Sequence, residues 1–194
     1  VEHFAWQTSW GVSWRLIGAM IMIHGDDKGL VLPPKVAPMQ VVIVPIYKND
    51  EGKNSVLPKV EEIQNELESK DIRVHVDDRE GMSPGYKFND WELKGVPLRI
   101  EIGPKDIENQ NIVVAKRYNL EKISLAFTEI EKIPIILDEI QTQMLKNAKE
   151  KTENITLNIS DYSEFKSKIE KGGFFNSPWC GKVECEDKIK EETG

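Results

Sequence analysis

The chain has 194 residues, 39% of them hydrophobic, which is enough for one large or two small globular domains with their own cores. Its 26 Lys and Arg against 33 Asp and Glu give a net charge of −7, which argues against general affinity for nucleic acid, because such binding depends on neutralising phosphates. The sequence has no apolar run of about 18 residues and no basic, signal-like start, so we predict no membrane contact and a cytoplasmic location.

The first stretch of the chain combines an aromatic segment with an apolar helix. Residues 4–10 are predicted to form a short buried strand that Gly11 ends. Ser13 is predicted to cap the helix that follows, and apolar residues on nearly all sides of that helix place it inside a domain. Arg15 lies in its first turn, where the helix dipole disfavours a cation. An anionic or aromatic ligand at this junction would explain the arginine.

A proline-rich segment comes next and predicts a stiff linker, with a domain boundary between Pro34 and Pro38. Beyond it, residues 40–47 form a β-branched run typical of a strand buried on both faces. A helix over 56–69 and a strand over 72–76 follow, and this order predicts a parallel pair of strands.

Two adjacent acids, Asp77 and Asp78, follow the second strand. They could bind a metal ion, but no third ligand is in register, so we favour a solvated loop. A second helix is predicted from Ser83, its cap, to about residue 93, with Gly95 ending it.

Alternation over residues 96–103 predicts a half-buried strand with Arg99 and Glu101 directed outward. Two further strands, over 110–116 and 121–127, precede a long helix over 128–149. About five strands with helices on their faces therefore predict a layered α/β domain from about residue 38 to 149.

The last part of the chain predicts a strand over 155–159, a helix over 161–171 and a strand over 174–178. Cys180 and Cys185 follow, and they are open to three interpretations: a disulfide, two buried thiols, or half of a metal site. Structural zinc needs four ligands, so the sequence alone disfavours zinc. In a reducing compartment, thiolates are favoured over a bridge.

Three motifs occur in order along the chain: TSWG with Arg15 and HGDDKGLVLPPKVAP, then SPGYKFNDWELKGVPLRIEIGPKD, then PWCGKVECED. Together they resemble prolyl-tRNA synthetases of the archaeal and eukaryotic type, which are class II synthetases, over essentially the whole chain. The resemblance implies an α/β fold in three parts. Residues 1–37 would end the catalytic domain, 38–150 would form a mixed-sheet anticodon-binding domain, and 151–194 would begin a small, truncated α/β domain of zinc-binding type.

The resemblance also implies sites for ATP and proline. Arg15 would stack on the adenine of ATP, with Ser13 as a second nucleotide contact, and Ser9, Trp10 and Gly11 would line the proline pocket. Trp14 departs from the family, which usually has a small hydroxyl residue there. No catalytic acid or base is expected, because this chemistry depends on positioning and charge neutralisation.

Anticodon recognition is the third implied function. Family members read the two guanines of proline anticodons at positions matching Phe88, Glu92, Arg99, Lys105, Asp106 and Lys122. A guanine offers edge acceptors to cations and edge donors to a carboxylate, so this mixture suits it. From spacing alone we would favour a solvated face, with Phe88 in the core and Glu92 in a salt bridge.

As implied by the resemblance, the intact protein would be a homodimer that activates L-proline with ATP and Mg²⁺ and transfers it to tRNA(Pro). Zinc would be held by Cys180, Cys185 and a second cysteine pair further on. The chain is expected to be a fragment that is inactive alone, since the first two class II motifs are missing. The alternative is a non-catalytic module that binds tRNA, other RNA or a protein and uses the same fold.

Overall fold

The computed structural model of the chain describes residues 3–193, which divide into two units between Met144 and Leu145. Seven α-helices are found in these residues: α1 Arg15–His24, α2 Asp50–Glu68, α3 Pro84–Lys94, α4 Pro104–Glu108, α5 Ile133–Asn154, α6 Tyr162–Ile169 and α7 Val183–Thr193. A 3₁₀-helix, Phe127–Lys132, precedes α5. The predicted domain limits at residues 37 and 150 stay predictions.

A mixed five-stranded sheet forms the centre of the first unit. Its strands are β1 Val41–Pro45, β2 Val74–Val76, β3 Leu98–Ile102, β4 Asn111–Lys116 and β5 Lys122–Ala126, in the order β2-β1-β3-β4-β5. β1 is parallel to β2 and to β3, whereas β3 to β5 pair antiparallel. The predicted α/β class and the parallel pair are confirmed.

Local signals set the ends of α3 as predicted. The Ser83 hydroxyl accepts a hydrogen bond from the Tyr86 amide, and Pro84 occupies the first turn, where a missing N–H costs nothing. Gly95 ends the helix in the left-handed region at φ 73°. α2 begins earlier than predicted, because the Asn49 side chain caps it by accepting from the Gly52 amide.

Apolar residues fill both faces of the sheet. On one face, α2 and α5 bury a large core that includes Ile43, Ile63, Ile100 and Ile140. On the other face, Val42, Val44, Trp91 and Val96 form a smaller core under α3. β1 is fully buried, as its continuous β-branched run predicts.

Three expectations about residues 4–24 are wrong in this structure. Residues 3–13 form no strand, and Trp6 and Trp10 are almost fully exposed. A strand needs a neighbour for its backbone hydrogen bonds, and no strand in the described residues supplies one. α1 has no buried residue, because its apolar surface can be buried only where other elements cover it. Ser13 does not cap it; Trp14 is the N-cap residue.

The proline-rich linker lies against the sheet domain. The Arg73 guanidinium donates to the carbonyls of Pro34 and Ala37, each at 3.0 Å. Further back, the Leu30 amide donates to the carbonyl of Leu93 at 3.0 Å. Hydrogen bonds to their backbone groups therefore hold the residues that lead into β1.

The second unit contains a parallel pair of short strands, β6 Thr156–Asn158 and β7 Phe174–Asn176. α6 connects them and is capped by Asp161; it ends at Ile169, two residues short of the predicted limit, and two glycines with positive φ follow at 172 and 173. α7 is absent from the prediction. Glu192 on α7 accepts hydrogen bonds from Tyr162 at 2.8 Å and Lys166 at 2.9 Å, which attach α7 to α6.

Candidate nucleic-acid interface

Three of the predicted anticodon residues meet where α3 crosses β3. Phe88 and Glu92 are one turn apart on α3, and Arg99 reaches up from β3 beneath them. The Arg99 guanidinium donates to the Glu92 carboxylate at 3.1 Å and to the Phe88 carbonyl at 3.3 Å. Its Cζ lies 4.3 Å from the centroid of the Phe88 ring, a cation–π contact.

Glu101 completes this cluster, and sequence reasoning missed it. Its carboxylate accepts from Arg99 Nη2 at 2.9 Å and forms an ion pair with Lys122 at 2.8 Å. Lys122 also lies 5.4 Å from the centroid of the Phe88 ring. The signal was present, since residues 99 and 101 are two apart on one strand and share a face.

The expectation that Arg99 and Glu101 point outward from a half-buried strand is wrong. Both are buried, with 6% and 8% of their surface exposed, because α3 covers that face of the sheet. The alternative of a solvated face is confirmed in two of its elements, although the face is only partly solvated because Arg99 and Glu101 are buried. Phe88 packs partly against the smaller core, and Glu92 is in a salt bridge.

A cavity of about 220 Å³ opens beside the cluster. It is rich in cations, and Glu92 supplies its carboxylate; the cationic side chains are Lys28, Arg99, Lys116, Arg117 and Lys122. Trp91, Val96 and Leu120 supply apolar surface. Four of these cations, Arg99, Lys116, Arg117 and Lys122, form ion pairs with acids, so their charge is partly neutralised. A cavity with such cations and one carboxylate can read the polar edge of a base.

The structure does not bring Lys105 and Asp106 into this cluster. Both lie on α4, beyond the end of β3. The Asp106 carboxylate accepts from the Gly103 amide at 2.8 Å and so caps α4, while Lys105 is exposed. Their predicted role in reading bases stays a prediction.

Asp77 is the centre of a buried polar network beneath α3. Its carboxylate accepts from Arg79 at 2.7 Å and from the Trp91 indole at 2.7 Å, and Lys87 donates to its carbonyl at 2.9 Å. Burial alone would raise the pKa of Asp77, but the hydrogen bonds from Arg79 and Trp91 and the charge of Lys87 hold it well below its ordinary value. The solvated-loop prediction is therefore wrong for Asp77.

No metal site accompanies these acids. Within residues 3–193, no group of three or more His, Cys, Asp or Glu side chains could hold a metal ion. Cys180 and Cys185 are exposed, and they form no disulfide. A hydrogen bond between the thiols lowers the pKa of Cys180 and raises that of Cys185. Two thiols supply half of the ligands that structural zinc needs.

The predicted ATP and proline residues are exposed. Ser9, Trp10 and Gly11 lie in the irregular segment before α1, and Ser13 and Arg15 stand at its start. Their assignments stay predictions. The described part of the chain contains no helix that is long and apolar enough to cross a membrane.

Two parts of the chain match models of known protein families. Residues 40–135, which carry the sheet, α3 and the cavity, match the family model "Anticodon binding domain". Residues 162–194 match the model "Prolyl-tRNA synthetase, C-terminal". The sheet domain is therefore an anticodon-binding domain of the aminoacyl-tRNA synthetase type.

Individual relatives show which aminoacyl-tRNA synthetases the chain is similar to. The chain is 52% identical to a proline–tRNA ligase of Cenarchaeum symbiosum, a match covering 100% of the chain and 41% of the relative. It is 54% identical to a proline–tRNA ligase of Acetoanaerobium sticklandii over 96% of the chain and 39% of that relative. A solved prolyl-tRNA synthetase from Cryptosporidium parvum, complexed with L-proline and AMP, superposes with a TM-score of 0.85 at 42% identity, covering 92% of this chain and 38% of that one.

These matches establish that the chain belongs to the prolyl-tRNA synthetase family. It spans about two fifths of the length of the curated relatives it matches. Their region of similarity is the carboxyl-terminal part of the synthetase, including its anticodon-binding domain.

Proposed function

We propose that this chain is the anticodon-reading part of a proline–tRNA ligase, and that the cavity beside Phe88, Glu92, Arg99 and Lys122 binds the guanines of the tRNA(Pro) anticodon. The observation that carries the proposal is the convergence of Glu92, Arg99 and Lys122 on one cavity from α3, β3 and β5. Lys105 and Asp106 are proposed as additional contacts from α4, beyond the end of β3.

The cluster supplies complementary chemistry for an unpaired guanine. Glu92, about one-fifth exposed, presents carboxylate oxygens to the N–H donors of the base. Lys122, with 51% of its side chain exposed, offers a cation to the base acceptors or to a phosphate. Arg99 is neutralised between Glu92 and Glu101, so its main contribution is to hold both carboxylates and the Phe88 ring in place.

For the intact enzyme we propose ATP-dependent activation of L-proline, with Mg²⁺, and transfer of proline to tRNA(Pro). Arg15 and Ser13 would contact ATP, and Ser9, Trp10 and Gly11 would line the proline pocket. The proline and AMP bound to the Cryptosporidium parvum relative support both ligands. This chain alone is proposed to lack activity. A homodimeric state and a cytoplasmic location belong to the same proposal.

Zinc is not proposed for the described residues, because they offer two thiols and no third donor. The predicted zinc site would need ligands from outside this chain. A non-catalytic RNA-binding module is disfavoured, since relatives named proline–tRNA ligase match the whole chain, including the segment around Arg15.

Anticodon-dependent binding tests the proposal. The purified chain is titrated with tRNA(Pro) and with the same tRNA whose two anticodon guanines are replaced, at near-physiological salt because phosphate contacts vary steeply with ionic strength. We expect affinity for the replaced tRNA to fall at least about tenfold, since each good base-edge contact discriminates by about 1–3 kcal/mol. Equal affinities would refute the proposal.

A further inference from the structure

Arg117 follows β4 and is almost completely buried, with 4% of its surface exposed. Its Nη1 and Nη2 donate to the two carboxylate oxygens of Asp26, at 2.8 and 2.6 Å. Its Nε donates to the backbone carbonyl of Glu92 at 2.8 Å. All three guanidinium nitrogens are therefore engaged, two by a carboxylate far away in sequence and one by the helix that carries Glu92.

Asp26 lies in a tight turn that follows α1. Its carboxylate also accepts from the Lys28 amide at 2.9 Å, and Asp26 and Gly29 exchange backbone hydrogen bonds. The hydrogen bond from Arg117 is the largest cause that lowers the pKa of Asp26 to about 2, so the carboxylate is charged at neutral pH. The pair is thus a bidentate ion pair with one buried partner.

The chain beyond this turn runs against the end of α3. At Gly29, a β-carbon would lie 2.7 Å from the backbone of Leu93, and at Gly95 it would lie 2.6 Å from Leu30. Such close approach leaves no room for a side chain at either glycine, so the two segments pack backbone against backbone. Arg117 contacts both segments from the sheet, because it bonds Asp26 in the turn and Glu92 on α3.

We infer that Arg117 is a positioning residue for anticodon recognition, which holds the Glu92 backbone in place and fastens the turn after α1 to it. Glu92 is then held by two arginines: Arg117 fixes its carbonyl and Arg99 its carboxylate. The inference rests on the proposed anticodon function. Arg117 lines the cavity but does not itself read the base, because its nitrogens already donate to Asp26 and Glu92.

The test compares Arg117→Gln, Asp26→Asn and the control Arg73→Gln. The readout is the discrimination ratio, the affinity of the purified chain for tRNA(Pro) divided by its affinity for the tRNA with replaced anticodon guanines. Partial unfolding reduces the amount of active chain but not this ratio. Arg73 is a matched control because it also fastens backbone carbonyls, in the linker and outside the cavity.

We expect the ratio to fall about tenfold in Arg117→Gln, the scale of one lost hydrogen bond to a charged group. Asp26→Asn should also lower the ratio. The double variant should lose little more than Arg117→Gln alone, because both substitutions break the same contact, the ion pair between Arg117 and Asp26. Arg73→Gln should keep the wild-type ratio. Since Asp26 is partly exposed, its variant carries the test if Arg117→Gln does not fold.

Four results would overturn the inference. A wild-type ratio retained in Arg117→Gln would show that Arg117 does not position Glu92. If that variant does not fold, a wild-type ratio retained in Asp26→Asn would show that the Arg117–Asp26 ion pair does not position Glu92. An equal loss in Arg73→Gln would make the effect nonspecific. A decrease of about 0.7 in the salt slope of Arg117→Gln would mean that the guanidinium contacts a phosphate directly. If the wild-type chain shows no discrimination, the proposed function fails, and this role of Arg117 fails with it.

Discussion

Replacing Asp77 with asparagine tests the buried network beneath α3. The substitution keeps the shape of the side chain and removes its charge at a position with no exposed surface. Arg79 and Lys87 then lose the carboxylate that they face at 2.7 and 3.6 Å. Removing one partner of a buried ion pair typically costs about 3–5 kcal/mol. Arg79 keeps its contact with Asp90, so we expect about 3 kcal/mol, the lower end of that range.

The pH dependence of this loss has a definite sign. The folded state lowers the pKa of Asp77 below its ordinary value of 3.8, so its stabilisation is complete above that value and disappears as the pH falls toward the folded-state pKa. The difference between wild type and Asp77→Asn should therefore be largest near neutral pH and shrink below about pH 4.

Urea unfolding followed by circular dichroism measures this difference in free energy. Asp78→Asn is the matched control, because the neighbouring aspartate is exposed and its replacement should change stability by no more than about 0.5 kcal/mol. A cost below about 1 kcal/mol for Asp77→Asn, or a cost independent of pH, would show that the Asp77 charge does not stabilise the buried network.

Two further predictions concern the cavity and the backbone around it. Lys122→Ala should weaken tRNA binding and reduce the salt slope by about 0.7, whereas Lys132→Ala, with the same 51% side-chain exposure but outside the cavity lining, should leave both unchanged. Gly95→Ala should destabilise the domain by more than about 1 kcal/mol in thermal unfolding, because φ is 73° and the new β-carbon would lie 2.6 Å from Leu30. Gly85→Ala, in open space inside α3, should be neutral or stabilising; equal effects at the two glycines would contradict this account.

Local chemistry allowed much of the fold to be predicted from the sequence. The Ser83 cap and Gly95 are contained within α3 and its flanks, so short-range reasoning found both ends of that helix. The continuous β-branched run of β1 likewise predicted a strand covered on both faces. Such features depend on neighbours a few residues away.

Features that depend on packing between distant segments could not be predicted in this way. Alternation showed that Arg99 and Glu101 share a face of β3, but not that α3 covers that face. Two adjacent acids in the sequence predict a solvated loop. In the fold, Trp91 and Lys87 cover Asp77 and donate hydrogen bonds to it. The same limit applies to α1, because an apolar helix does not specify what covers it.

The residues of the candidate site were likewise predicted only in part. The resemblance to the synthetase family pointed to Phe88, Glu92, Arg99 and Lys122, which meet in the structure. Glu101 was missed although it pairs with two of them, because it was interpreted only as an outward-facing strand residue. The contact of Arg117 with Asp26 spans 91 positions and leaves no mark in local patterns.

Glu92 is proposed to read an anticodon guanine, and a double-mutant cycle with inosine isolates that contact. Inosine lacks the 2-amino group, one of the two edge donors that a carboxylate can accept from guanine. Binding is measured for wild type and Glu92→Ala, each with guanine or inosine at the anticodon positions. At one position we expect inosine to weaken wild-type binding about tenfold and to leave the binding of Glu92→Ala nearly unchanged. If inosine lowers the affinity of wild type and of Glu92→Ala by the same factor at both positions, Glu92 does not contact either guanine, and its proposed role is refuted.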